Sequence, residues 1–304
     1  MLRAEPKPSR LTPPGRALRA LAAIASLACA ATAAAQAGVT CHLEWAPMRD
    51  GVALATEVYL PAGPGPFPVI LQRTPYNRFP PNPGSACNSA QFQYLAQHGF
   101  AALNQDVRGR YRSHGTMDAM QQEARDGYDA VEWAAARPWS TGKVGMFGGS
   151  YVGLTQWQPA IHHPPHLAAI APMITASDYH DHWTYVNGAF DLWFAQSWML
   201  LTFAGEQLMR NLEAQGLSPA EVQAKTAAWL ADGYANIVKP GDGWVWKLPL
   251  DSFSAFDGLA PYYYDWIAHP NYDWYWAKLD VESRWDEVRV PALNIGWWYD
   301  IFQI

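Results

Sequence analysis

Along residues 43–60, LEWAPMRDGVALATEVYL, apolar and polar positions alternate on both sides of Arg49-Asp50-Gly51. A period of two marks a strand with one buried face, and Asp-Gly is a strong hairpin turn. The pattern predicts two antiparallel strands, followed by a Pro/Gly loop, PAGPGPFP. Four further runs are nearly all apolar and end in polar loops: PVILQRTPY, FAALNQDVRGR, KVGMFGGS and LAAIAPMI. Such runs fit strands buried on both faces of a parallel sheet. Between them lie helical stretches. SAQFQYLAQHG stops at Gly99, and YVGLTQWQPA starts directly after Ser150. MQQEARDGYDAVEWAAARP places Ala124, Tyr128, Val131 and Ala135 on one face. A last strand is expected in VPALNIGWWYD. Strand and helix alternating in this way predict an α/β fold, a mostly parallel sheet with helices on both faces.

Between Asp178 and about Asp280 the alternation lapses. The segment is rich in Trp, Tyr and Phe, as in DYHDHWTYVNGAFDLWFAQSWMLLTF and PYYYDWIAHPNYDWYW. SPAEVQAKTAAWLADG is a capped helical pattern, and no clear strand is expected in the middle. The expected organisation is a core over 38–177, a helical aromatic-rich cap over 178–280, and a return to the core over 281–304. A cap of this kind would wall a pocket.

Residues 1–37 read differently. Arg3, Lys7, Arg10, Arg16 and Arg19 precede an Ala/Leu/Ile run that ends in AQA before Gly38. A basic region, an apolar region and an A-x-A site make a secretory leader, so a periplasmic or secreted location is expected. The run is short and Ala-rich for a membrane anchor. Five of the 21 basic and one of the 27 acidic residues precede Gly38, so the remainder carries 16 against 26, a formal charge of −10. That excess of acid makes nucleic acid an unsuitable partner. Past the leader no run is apolar enough to span a bilayer. Cys41 and Cys87 remain there, either as a disulfide or as two buried thiols.

The chemistry centres on GGSYVG. Ser150 follows a strand and precedes a helix, and such a turn exposes a serine and aims the next N–H, that of Tyr151, at a developing oxyanion. Catalysis would also need a positioned base and a carboxylate to orient it. The second glycine of the usual G-x-S-x-G falls one place late, at Gly153, because Val152 stands in its position.

G-x-S-Y-x-G resembles the X-Pro dipeptidyl-peptidase-like hydrolases, the group that includes cocaine-esterase-type enzymes and α-amino-acid ester hydrolases (CocE/NonD). MRDGVALATEVYLPAG, LQRTPYN, DVRGRYRSHG, HPNYDWYW and VPALNIGWWYD match that group's segments in order, from about Met48 to the chain end. The resemblance implies an α/β-hydrolase fold with a helical cap. Ser150 would be the nucleophile, Asp300 the orienting acid, and Tyr151 N–H with the Tyr76 hydroxyl the oxyanion donors. Asp178 and Asp181 rival Asp300 as the acid. Asp106 and Arg108 are expected to brace their loop as a pair.

The order Ser, Asp, His of such hydrolases would put the base after Asp300, and no histidine follows it. The alternative bases are His114, His180 and His182. The family's C-terminal β-sandwich domain also has no counterpart in these residues. The expectation is a C-terminally truncated and inactive copy. Trp183, Trp193 and Asp181 are candidates for substrate binding. Amino-acid ester specificity is disfavoured because Ile301, Phe302 and Gln303, not acids, follow Asp300. No cofactor is expected, and neither His180-Asp181-His182 nor HHPPH has the spacing of a metal site. The substrate would be a small ester, an amide or a short X-Pro peptide. The competing reading is a binding protein on a hydrolase scaffold without catalysis.

Overall fold

The computed structural model describes residues 38–76 and 87–302. The expected leader lies outside them. Six strands form one sheet: β1 (Thr40–Pro47), β2 (Ala53–Leu60), β3 (Phe67–Thr74), β4 (Ala101–Asp106), β5 (Ser140–Gly149) and β6 (Leu167–Met173), in the order β1-β2-β4-β3-β5-β6. β3 to β6 run parallel, whereas β1 and β2 form the antiparallel hairpin. Gly51 supplies the positive φ (85°) of its turn.

Helices cover both faces. α1 (Ala90–Gln97) packs Phe92 and Ala96 on Tyr59 and Ala102. α2 (Glu123–Ala135) and α3 (Tyr151–Ala160) lie on the opposite face, where Val69, Leu71, Leu103, Val144 and Met146 are buried. A disulfide joins Cys41 on β1 to Cys87 ahead of α1, which decides between the two readings of that pair.

The expected last strand forms only in part. Ile170 N–H donates to Pro291 O at 3.0 Å, Leu293 N–H to Ile170 O at 2.9 Å, and Ile295 N–H to Pro172 O at 3.1 Å. These are parallel bridges to β6 rather than a full ladder. Pro291 has no N–H to donate, and the chain turns at 297–300, where Asp300 N–H meets Trp297 O at 3.2 Å.

The intervening segment carries α4 (Leu192–Trp198), a π-helical turn over Met199–Ala204, α5 (Gly205–Ala214), α6 (Pro219–Asn236), α7 (Pro261–Ala268) and α8 (Trp274–Ala277). A capping box starts α6: the Ser218 hydroxyl accepts from Glu221 N–H, and Glu221 accepts from Ser218 N–H. One feature corrects the sequence-based expectation. β7 (Tyr185–Val186) and β8 (Ala189–Phe190) form a short hairpin across Asn187-Gly188, both at positive φ. Asn-Gly is the turn chemistry such a hairpin demands. Among the described residues no helix is long and apolar enough to cross a membrane.

The aromatic core of this segment sets an alkaline limit. Burial pushes the Tyr185 and Tyr263 phenols up to about 12. Unfolded, they would release protons near pH 10. Their contribution to stability is therefore intact below about pH 10 and is lost as pH rises toward 12, by up to about 1.4 kcal/mol per pH unit for each phenol. Urea midpoints at pH 8, 10 and 11 should fall only over the last interval. A midpoint flat to pH 11 would contradict this.

Candidate active site

Ser150 sits on the turn from β5 to α3 with φ 61° and ψ −130°. For a residue with a Cβ this is a strained conformation, worth about 1–3 kcal/mol, and it persists only where the surroundings enforce it. Here they do. Ser150 N–H donates to Met173 O at 2.9 Å and to Ile174 O at 3.1 Å, and Ile174 is itself at φ 39°. The glycines explain the shifted motif. A Cβ on Gly148 would stand 2.3 Å from Val152 Cγ1, and one on Gly153 would stand 2.5 Å from Thr175 Cγ2. Val152 packs its side chain against Gly148, and the second glycine is needed at 153, where Thr175 approaches.

The Ser150 hydroxyl meets the Tyr76 hydroxyl at 3.1 Å. Burial raises the Tyr76 phenol above its ordinary value, so it is protonated at neutral pH; contacts with Ser150, Tyr151 N–H and the Trp198 side chain offset part of that rise. The Tyr76 hydroxyl thus lies between Ser150 Oγ and the Tyr151 amide. Thr74 fixes the start of the Tyr76 loop: its hydroxyl accepts from Tyr76 N–H at 3.0 Å.

Beyond Tyr151 lies a buried polar chain. Tyr151 OH donates to Glu123 Oε1 at 3.0 Å and accepts from Met120 N–H at 2.7 Å. Glu123 Oε2 pairs with Arg73 at 2.7 Å, Arg73 Nε donates to Gln105 at 2.8 Å, and Gln105 donates to Thr56 at 3.0 Å. All six residues are buried. Burial raises Glu123 more than Arg73 beside it lowers it. Sequence reasoning missed this chain. Glu123 is a carboxylate on the buried face of its helix, in line with Gly127, Ala130 and Ala134, and its partner is 50 positions away.

Asp300 lies at the end of the segment that pairs with β6. Ile174 N–H donates to Ile295 O at 2.8 Å, so the residue that clamps Ser150 N–H also holds the strand leading to Asp300. Asp300 and Ile174 line one cavity of about 200 Å³, together with Trp157, Thr175, Trp285 and Phe302. Asp300 Oδ1 accepts from Phe302 N–H at 3.3 Å, and the Phe302 ring stacks on Trp183 at 4.2 Å. A wider cleft of about 520 Å³ lies elsewhere, lined by Arg49, Arg108, Asp126, Gln158 and His162, and does not include Ser150.

The other candidates are placed as follows. Asp178 Oδ1 accepts the His180 and Asp181 amides at 2.8 and 3.2 Å, which makes it a local turn cap. Asp181 is solvent-exposed, 3.9 Å from His180. Trp183 is buried, and Trp193 is 59% exposed on α4. Arg108 does brace its loop, but not through Asp106. It binds Asp126 in a fork at 2.7 and 2.8 Å and Asp50 at 2.8 Å, while Asp106 Oδ2 accepts Arg112 N–H at 3.3 Å. The two side chains on one loop diverge because Arg108 can neutralise two carboxylates from other elements at once.

All nine histidines are among the described residues, and none hydrogen-bonds Ser150 or Asp300. His180 Nε2 meets Pro270 O at 3.1 Å, and its ring stacks on Tyr185 at 4.7 Å. His182 stands 3.9 Å from Glu282. His114 stacks on Trp45 at 4.7 Å, and its N–H donates to Ala53 O on β2. β2 is three strands from β5, about 14 Å at the usual spacing.

Ser150 on a strand-to-helix turn with a tyrosine hydroxyl beside it is the geometry against which the comparisons are read. The pattern of the X-Pro dipeptidyl-peptidase (S15) family matches residues 50–303. The chain belongs to that family. It is 33% identical over 260 residues to cocaine esterase of Rhodococcus sp. (strain MB1 Bresler), covering 84% of this chain and 43% of that protein. An α-amino acid ester hydrolase shares the fold with TM-score 0.57 at 21% identity, over 87% of this chain and 44% of that one. A CocE/NonD family hydrolase from Staphylococcus aureus does so with TM-score 0.55 at 21% identity, over 83% and 40%. The chain thus spans less than half the length of these relatives. The α/β-hydrolase fold and the family expected from the sequence both hold.

Proposed function

We propose that the protein is an exported serine hydrolase that cleaves ester or amide bonds through an acyl-enzyme on Ser150. The observation that carries this reading is the strained Ser150 with its hydroxyl 3.1 Å from Tyr76. Ser150 Oγ attacks the substrate carbonyl as its proton passes to a base. The carbonyl oxygen becomes an oxyanion that accepts from Tyr76 OH and Tyr151 N–H. The alcohol or amine leaves with that proton, and water then releases the acid. Asp300 would orient the imidazole, and Trp183 and Trp193 would border the acyl group. Export is supported by the leader-like first 37 residues and by the Cys41–Cys87 disulfide, a bond of oxidising compartments. A relative named for ester cleavage and a family named for X-Pro dipeptide cleavage support both substrate classes.

The test of the oxyanion assignment is Tyr76→Phe, made in the protein expressed from its natural gene. The change removes one hydroxyl and little volume. Turnover of p-nitrophenyl acetate should fall about a hundredfold or more with KM little changed. An effect confined to KM would make Tyr76 a pocket wall instead. The competing reading is a non-catalytic binding protein on this scaffold. A fluorophosphonate probe separates the two, since labelling of Ser150 requires an activated nucleophile.

A further inference from the structure

Arg110 is the buried cation that neither the motif reading nor the chemistry above uses. Its side chain is 2% exposed, and its guanidinium joins two parts of the molecule. Nε donates to Pro75 O at 3.2 Å, the carbonyl immediately before Tyr76. The other end reaches the π-helical turn of the cap: Nη1 donates to Phe203 O at 3.1 Å and Nη2 donates to Thr202 O. Nη1 also pairs with Glu206 on α5 at 3.0 Å. Glu206 in turn accepts Tyr111 N–H at 3.0 Å, which fixes the loop that presents Arg110. The guanidinium carbon stands 4.9 Å over the Phe203 ring. That ring packs edge-on against Trp198 at 4.8 Å and against Tyr151 at 6.1 Å. One side chain therefore holds the residue before the Tyr76 donor and the aromatic wall beside the Tyr151 donor.

We infer that Arg110 is a positioning residue that clamps the cap to the Tyr76 loop and so sets where the Tyr76 hydroxyl meets Ser150. The inference rests on the oxyanion role proposed for Tyr76. A guanidinium suits this task because its planar fork offers five donors in fixed directions, enough for the three carbonyls, while its charge faces Glu206 as an ion pair. A lysine at 110 would keep the charge opposite Glu206, but its single ammonium could not serve Pro75 and the cap together. Loss of the clamp would let the hydroxyl drift, and a displacement of about 1 Å can cost on the order of a hundredfold in rate.

The test is a double-mutant cycle of Arg110→Met with Tyr76→Phe, in the protein expressed from its natural gene, with p-nitrophenyl acetate as substrate. Arg110→Met alone should lower kcat by roughly ten- to a hundredfold and change KM little. On the Tyr76→Phe background it should lower kcat by less than about threefold, because the group it positions is already gone. Arg110→Lys should fall between wild type and Arg110→Met. Effects that multiply fully across the cycle would overturn the inference and leave Arg110 a plain structural brace, with the Tyr76 assignment standing. If Tyr76→Phe itself leaves kcat unchanged, the oxyanion reading fails and the inference falls with it. Arg110→Met removes a buried charge facing Glu206, so thermal melts accompany the kinetics. Should that variant not fold, Arg110→Lys carries the same cycle, and the same two outcomes decide.

Discussion

Replacing Ser150 by alanine is expected to abolish ester hydrolysis and fluorophosphonate labelling of the protein expressed from its natural gene, with a loss on the order of a million-fold in turnover. The size follows from the chemistry. On the proposed mechanism, without Oγ there is no acyl-enzyme, and Tyr76 OH and Tyr151 N–H can only assist a water that nothing positions. The fold should survive. Ser150 is held by its backbone N–H, which donates to Met173 O and Ile174 O, and these bonds do not involve the side chain. The deleted hydroxyl meets Tyr76, whose phenol still has the Tyr151 amide and Trp198 beside it. Alanine has a Cβ as serine does, so the strain at φ 61° remains about the same. Thermal melts of the two proteins should therefore coincide to within a few degrees. Turnover above a tenth of wild type would remove Ser150 from the mechanism.

Much of this site was legible because its signals are local. The Asp50-Gly51 turn, the apolar strands ahead of Tyr76 and Ser150, and the helix beginning at Tyr151 are each written in fewer than a dozen residues. The motif could be read from GGSYVG alone, although the reason for Gly153 could not, since Thr175 lies 22 positions further on. What escaped was of two kinds. The hairpin at Asn187-Gly188 has a strong local signal, but its strands are two residues long and sit among aromatics with no clear period. The partnerships of Arg108, Arg110 and Glu123 have no local signal at all. RGRYR offers three arginines in five positions. Their roles depend on which carboxylates and carbonyls the fold brings up, from Asp126, 18 residues from Arg108, to Phe203, 93 residues from Arg110, and Glu206 beyond it. A loop motif naming Asp106 and Arg108 invites pairing those two, and the fold instead gives Arg108 to Asp126 and Asp50.

The second large effect concerns the base. Residues 1–304 made alone are expected to hydrolyse p-nitrophenyl acetate only at a residual rate. A serine hydroxyl stays protonated near neutral pH and attacks poorly unless an imidazole takes its proton. None of the nine histidines is placed to do so. His180 is buried with Nε2 at the Pro270 carbonyl, His182 faces Glu282, and His114 stacks on Trp45 on the far side of the sheet. The two oxyanion donors remain, and donors without a complete triad sustain roughly a thousand- to ten-thousandfold over water, far below a working hydrolase. The assay should therefore show a slow rate that survives any single substitution of His114, His180 or His182. Added free imidazole should raise it, because none of the nine histidines hydrogen-bonds Ser150 or Asp300 and a diffusing base would meet no competitor. The same imidazole should do nothing for Ser150→Ala. Efficient turnover that disappears with His180→Ala or His182→Ala would mean that the cap moves to deliver its own base to Ser150, and would replace this account of the site.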